Sequence, residues 1–248
     1  MKKWAFLSSL LIVLSGCGTP SGGEQPKSRA SAKVHTELAG MYYERAQMGI
    51  ALGEIDMALQ ADRNYAPAYN VRGLIRMALR EYKEAEEDFQ QSLRLDKSDS
   101  ETHNNYGWFL CQQGKEKESI PHFMAALKNP LYTTPERAYL NAGLCFKKTG
   151  NLKDAEEFLQ RALLVQPDLQ QALLAMAELN FANGDYTAAK KYFARFSDKS
   201  GSLTAEQLWL AVRIERKVGD RNSEASYSMQ LRKRFPDTRE VQLLMHGE

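Results

Sequence analysis

Down this chain a small residue returns at a nearly constant step: Ala39, Gly73, Gly107, Gly143, Ala177 and Ala211 lie 34, 34, 36, 34 and 34 residues apart. A second ladder, Ala51, Ala85, Ser119, Ala155, Ala189 and Ala225, runs beside it with steps of 34, 34, 36, 34 and 36. Each period thus carries two positions without a bulky side chain, twelve or more residues apart. Such positions let helix axes approach closely. Their regular return describes a two-helix unit copied along the chain rather than a fold of unlike elements.

A period of 34 with small residues at its eighth and twentieth positions is the tetratricopeptide pattern. The windows are 32–65, 66–99, 100–135 with two extra residues, 136–169, 170–203 and a degenerate 204–240. The second window is the most complete, with Tyr69, Gly73, Tyr82, Ala85 and Phe89 at the expected places, and the third and fourth keep Gly107 with Phe123 and Gly143 with Leu159. Gly114, Gly150, Gly184 and Gly219 follow the first helices of repeats three to six, where a positive φ ends a helix. Thr134, Pro135 and Glu136 read as cap, first helical residue and first-turn acid. Repeat one departs from the pattern. His35 replaces an aromatic, and the turn glycine is missing, with Gly49 three residues late.

Stripes such as Leu152, Ala155, Phe158, Leu159, Ala162 and Leu163 recur at helical spacing and are assigned to packing between neighbouring helices. A helix pair buries such a stripe only against the next pair, so the fold class is all-α: one superhelical solenoid of six repeats, its concave face made mainly of first helices. Positions two, five, six, nine and twelve of first helices normally point inward. Here they give Tyr43, Asn70, Leu74, Met77, Asn104, Asn105, Trp108, Leu140, Asn141, Leu144 and Phe181. Amides to hold a peptide backbone, alternating with apolar groups to take its side chains, make a partner-binding groove for an amphipathic helix or extended segment. For Trp108 two readings stand, exposure in the groove and burial between repeats three and four.

The N-terminus places this solenoid. Lys2 and Lys3 precede an apolar run over 4–14, which ends in Leu14-Ser15-Gly16-Cys17. A charged start, a short apolar segment and small residues before a break describe a secretory signal over 1–16, too short for a comfortable membrane span. The last four residues resemble the lipobox of bacterial lipoproteins. That resemblance implies cleavage before Cys17, its lipidation, and periplasmic residence on a membrane leaflet; Gly18 rather than Asp after the cysteine implies sorting to the outer membrane. Acyl chains on Cys17 suffice as the lipid anchor, because each buried methylene contributes about 0.8 kcal/mol. Residues 18–31, rich in Gly, Pro, Ser and Lys, read with Cys17 as a flexible tether.

Without Lys2 and Lys3 the chain has 31 basic and 31 acidic side chains, which argues against a nucleic-acid footprint. Cys111 and Cys145 fall in the first helices of repeats three and four, which neighbour each other in such a stack. In an oxidising compartment they read as a disulfide, with two buried free thiols as the alternative. No metal is implied, because His103 and His122 add no recognisable zinc pattern to the cysteines. The chain has no hydrolase serine motif, metalloprotease motif or phosphate-binding glycine loop. Its histidines are His35, His103, His122 and His246, and a Cys111–His103 dyad would lack an oxyanion hole. The expectation is a binding protein, not an enzyme, without cofactors.

Two segments go beyond a generic repeat: Asn104-Asn-Tyr-Gly-Trp-Phe-Leu-Cys111, and Asn129-Pro-Leu-Tyr-Thr-Thr-Pro-Glu-Arg-Ala-Tyr-Leu-Asn-Ala-Gly-Leu-Cys145. With the lipobox, tether, lengthened third repeat, cysteine pair and the ending Arg234-Phe-Pro-Asp237, they resemble the type IV pilus biogenesis lipoproteins of the PilF/PilW pilotin family. The resemblance implies a monomeric adaptor without cofactor on the periplasmic face of the outer membrane. It would bind type IV pilus secretin subunits and promote their localisation and multimerisation, with contact near the N-terminal repeats, where Tyr43, Leu74 and Met77 lie. The alternative is a general periplasmic scaffold lipoprotein for outer-membrane protein assembly or cell-wall enzymes.

Overall fold

The computed structural model describes residues 25–247. The expected signal segment 1–16, Cys17 and the beginning of the tether lie outside the described residues. Thirteen helices and no strand occur among the described residues. Six antiparallel pairs follow one another: α1 (Gln25–Glu44) with α2 (Met48–Ala61), α3 (Ala66–Ala78) with α4 (Tyr82–Leu95), and α5 (Ser100–Gln112) with α6 (Glu116–Lys128). Then come α7 (Pro135–Lys148) with α8 (Leu152–Val165), α9 (Gln170–Ala182) with α10 (Tyr186–Lys199), and α11 (Ala205–Val218) with α12 (Arg221–Arg234). A short α13 (Arg239–Met245) closes the chain.

The small-residue ladder sets how closely the two helices of a pair approach. A Cβ added at Gly73 would lie 2.8 Å from Cε1 of Phe89, one at Gly107 2.9 Å from Cε1 of Phe123, and one at Gly143 2.8 Å from Cγ of Leu159. The large side chain sixteen residues on fills the space that the glycine leaves. In repeat one the corresponding pair is Ala39 with Ile55, both fully buried, and the smaller partner leaves room for a methyl group.

The tether expected over 17–31 needs correction. Residues 25–31 are already helical, and Arg29 lies over the Tyr65 ring, 5.8 Å from its centroid. Ala32 is fully buried at the start of the core, so the turns before it extend a helix that packing holds in place. Gly114, Gly150, Gly184 and Gly219 have φ between 75° and 88°. In repeats one and two the same turn is made by Ala46 at φ 57° and Arg80 at φ 65°, while Gly49 lies inside α2. Thr134 sits at the N-cap position of α7 but forms no side-chain cap; its hydroxyl donates to Glu101 Oε2 at 3.3 Å, tying the lengthened loop to α5.

First helices contact first helices along the row α1, α3, α5, α7, α9, whereas second helices form no comparable row. First helices therefore take the inner, concave side. Backbone contact thins between α9 and α11 and resumes between α11 and α13. Helix α13 buries Val241 and Leu244 against α11 and α12, and so covers the apolar end that a terminal repeat exposes.

Candidate protein-binding groove

The inner face has two kinds of residue at the expected groove positions. Tyr43 in α1, Leu74 and Met77 in α3, Trp108 in α5, Asn141 and Leu144 in α7 and Phe181 in α9 are half-buried, rooted in the core with part of each side chain open. They form a mainly apolar track over five consecutive first helices. Leu74 and Met77 lean on the cluster around Phe89 and Phe109, Trp108 on Phe123, and Leu144 and Phe181 on the large C-terminal core. Trp108 thus combines both readings, packed on one side and open on the other. Burial raises the pKa of the Tyr43 phenol, and the charge of Arg137 in α7 opposes that through space.

Asn70, Asn104, Asn105 and Leu140 are placed differently. All four are buried, Asn104 with only 1% of its surface exposed. The amides serve one another. Asn141 Nδ2 donates to Asn104 Oδ1 at 3.0 Å, Asn104 Nδ2 to Asn105 Oδ1 at 3.5 Å, and Asn105 Nδ2 to Asn70 Oδ1 at 3.1 Å. This ladder links α3, α5 and α7. Buried amides must be paired, and here the neighbouring repeat supplies the partner that a bound peptide was expected to supply. The open groove is consequently less polar than its sequence suggests.

Beneath the track, Cys111 and Cys145 are both fully buried, with Cα atoms 6.0 Å apart and sulfurs at bonding distance, 2.03 Å. Lys148 Nζ donates to the Cys111 carbonyl at 2.7 Å beside them. An ion triad around the buried Asp88 ties the two helices of the second repeat: Asp88 accepts from the partly buried Arg72, Nε at 2.9 Å and Nη2 at 2.7 Å, and Arg76, Nη1 at 2.9 Å. His103 and His122 also come together, Nδ1 to Nδ1 at 2.9 Å. His103 Nε2–H donates to the Lys97 carbonyl at 3.1 Å, so His103 Nδ1 accepts from His122. Burial, then the neighbouring His103, lowers the pKa of His122 to about 4. No group of three or more metal-ligating side chains gathers among the described residues.

Sequence reasoning missed the end of the track. Trp209 and Arg213 of α11 and Leu243 of α13 continue the inner face past Phe181. Arg213 follows Trp209 at i+4 on one helix face, a signal that was readable, but the degenerate sixth window concealed its register.

The tetratricopeptide repeat model matches residues 66–99, 136–169 and 171–200. The type IV pilus assembly protein PilF of Pseudomonas aeruginosa is 28% identical over 243 residues, 96% of each chain. The crystal structure of PilW, described as a widely conserved type IV pilus biogenesis factor, superposes with a TM-score of 0.79 at 32% identity, over 86% of this chain and 98% of that one. Pseudomonas aeruginosa PilF itself superposes with a TM-score of 0.83 at 25% identity, over 90% and 100%.

Proposed function

We propose, because the chain belongs to the type IV pilus tetratricopeptide family of PilW and PilF, that it is a lipid-anchored pilotin whose inner face captures a secretin subunit. Its role lies in type IV pilus biogenesis. The observation that carries the finer reading is the half-buried apolar track from Tyr43 to Phe181 on one continuous curved face, which suits an extended or helical protein segment better than a small substrate. It acts by binding rather than by catalysis.

The lipobox supports the rest of the reading. Acylated at Cys17, the protein would reside on the periplasmic face of the outer membrane, and a bound subunit would travel wherever the lipoprotein is sorted. A bridge between Cys111 and Cys145 would hold α5 and α7 in the register that aligns Trp108 with Leu144. The protein works as a monomer, because the groove is complete within one chain.

Deletion of the gene, followed by blotting outer-membrane fractions for heat-stable secretin multimers and counting surface pili, tests this. Loss of both, restored by the wild-type protein, is the expected result; unchanged multimers and pili overturn it. A Cys17→Ala protein should still bind secretin but leave it outside the outer membrane, and normal assembly with that variant would disprove the transport step.

A further inference from the structure

Each earlier second helix packs against the first helix of the next repeat, but among the described residues α12 has only α13 beyond it, 7 residues against 14. Leu243 of α13 lines the inner face, whereas Leu244 lines a different side, an open cavity of about 880 Å³ between α12 and α13. Arg221, Ala225, Met229 and Arg232 line it too. They follow one another at steps of four, four and three, which puts them on one face of α12, with Lys233 beside them.

The charge here is one-sided. Among the described residues that line the cavity Glu224 alone is acidic, and it accepts from Arg216 Nε at 2.8 Å. Asp220, the neighbour of Arg221 in the chain, is held by Lys190 at 2.9 Å and caps α12 by accepting from the Ser223 amide at 3.1 Å. The side chains of Arg221, Arg232 and Lys233 are exposed and have no ion-pair or hydrogen-bond partner among the described residues. Cations in the last turn stabilise a helix, which accounts for Arg232 and Lys233. Arg221 is the first residue of α12, where the helix dipole disfavours a cation, so helix stability does not account for it. Between these charges lies Met229, 67% exposed. An adaptable apolar side chain flanked by unpaired cations in a cavity is complementary to an acidic chain that carries an apolar residue.

We infer that the cavity between α12 and α13 is a docking site for an acidic segment of a partner protein. Its carboxylates lie on Arg221 at one end and on Arg232 and Lys233 at the other, with an apolar side chain between them against Met229 and Leu244. The end cations are roughly 17 Å apart along the helix, a span that about five extended residues cover. A cavity between two helices suits a chain segment better than a flat lipid surface. The site lies outside the inner face and stands whether or not that face takes secretin.

Fluorescence anisotropy with the full chain in detergent tests it. The probe is a labelled peptide amide, Gly-Glu-Ser-Glu-Ser-Leu-Ser-Glu-Ser-Glu-Gly, whose acids and leucine share one side of an extended chain. One control has Gln for every Glu, and another has Ser for Leu. At low salt the acidic peptide should bind at least about tenfold more tightly than the Gln control, the discrimination expected of several exposed charge pairs acting together, and the gap should close as salt rises to about 0.5 M. The triple variant Arg221→Gln, Arg232→Gln, Lys233→Gln should lose that preference while melting near the wild type. Met229→Ser should bring the leucine peptide down to the affinity of its Ser control.

Equal binding of the acidic and Gln peptides, no binding of either, or a preference that survives the triple substitution overturns the proposal. Equal affinity of the leucine peptide and its Ser control overturns the role of Met229. Displacement of the probe by glycerol phosphate, the headgroup of an anionic lipid, at the concentration at which unlabelled peptide displaces it would give the cavity to phosphate groups and overturn the protein assignment. Leu74→Asp, on the inner face, should leave peptide binding unchanged, and its loss there would place the peptide in the groove instead. Absence of secretin capture would remove the pilotin reading alone.

Discussion

Gly107 and Phe123 occupy one space: a Cβ on the first would lie 2.9 Å from the ring of the second and 3.2 Å from the Ser119 carbonyl, which cannot swing away. The ladder of small residues therefore sets an interhelical distance, and substitution should show it. Gly107→Ala is expected to destabilise the protein by about 1–3 kcal/mol through overpacking, despite the better helix propensity of alanine. Gly53→Ala, at an exposed position in α2 where an added Cβ meets nothing within 4 Å, should stabilise by up to about 1 kcal/mol. Urea denaturation of the two variants checks the opposite signs.

Asp88 is 3% exposed and accepts from two arginines. Asp88→Asn leaves two partly buried cations without their counter-charge and should cost about 3 kcal/mol. The exposed pair Arg161–Glu157 on α8 should cost under about 1 kcal/mol when broken by Glu157→Ala. Thermal melts of both variants at one pH decide between these magnitudes.

His122 supplies a pH dependence. Its pKa falls from 6.5 to about 4 in the folded protein, so between those values the unfolded chain binds a proton that the folded protein refuses. Stability from this group is therefore full above pH 6.5, declines as pH falls toward 4, and levels off below. The half-buried ring is screened by solvent, so a total of about 1–2 kcal/mol is expected. His122→Gln should flatten the slope of Tm against pH in that window; an unchanged slope would assign it to other groups.

The Cys111 and Cys145 bridge, once formed, closes a 34-residue segment and is expected to contribute about 3–4 kcal/mol in the chain-entropy model. Dithiothreitol should lower the Tm of the wild type and leave that of a Cys111→Ser, Cys145→Ser double variant unmoved. Intact mass under non-reducing alkylation should show neither thiol labelled.

Much of the architecture was legible in the chain. The step of 34 named the helix pair, and the glycines after first helices marked four of the turns, because a residue without Cβ is demanded where helices touch or φ turns positive. Repeats one and two concealed their turns because Ala46 and Arg80 adopt positive φ at a modest local cost that packing outweighs. The tether was overdrawn because polar composition does not reveal that the core continues a helix back to Gln25.

At the groove the sequence determined which faces turn inward, since helical phase follows from spacing alone. It did not determine what those faces are free to do. Asn70, Asn104 and Asn105 stand at inward positions, yet only the distance between adjacent repeats decided that they bond one another. Arg213 lies two residues beyond Ala211, as the core residue Phe109 lies beyond Gly107, and where α9 and α11 make looser contact it rests against two rings with its Nε lacking an acceptor. Helical phase is local and is written in the residues; whether a polar group finds its partner within the chain depends on how far apart two separately specified helices come to rest.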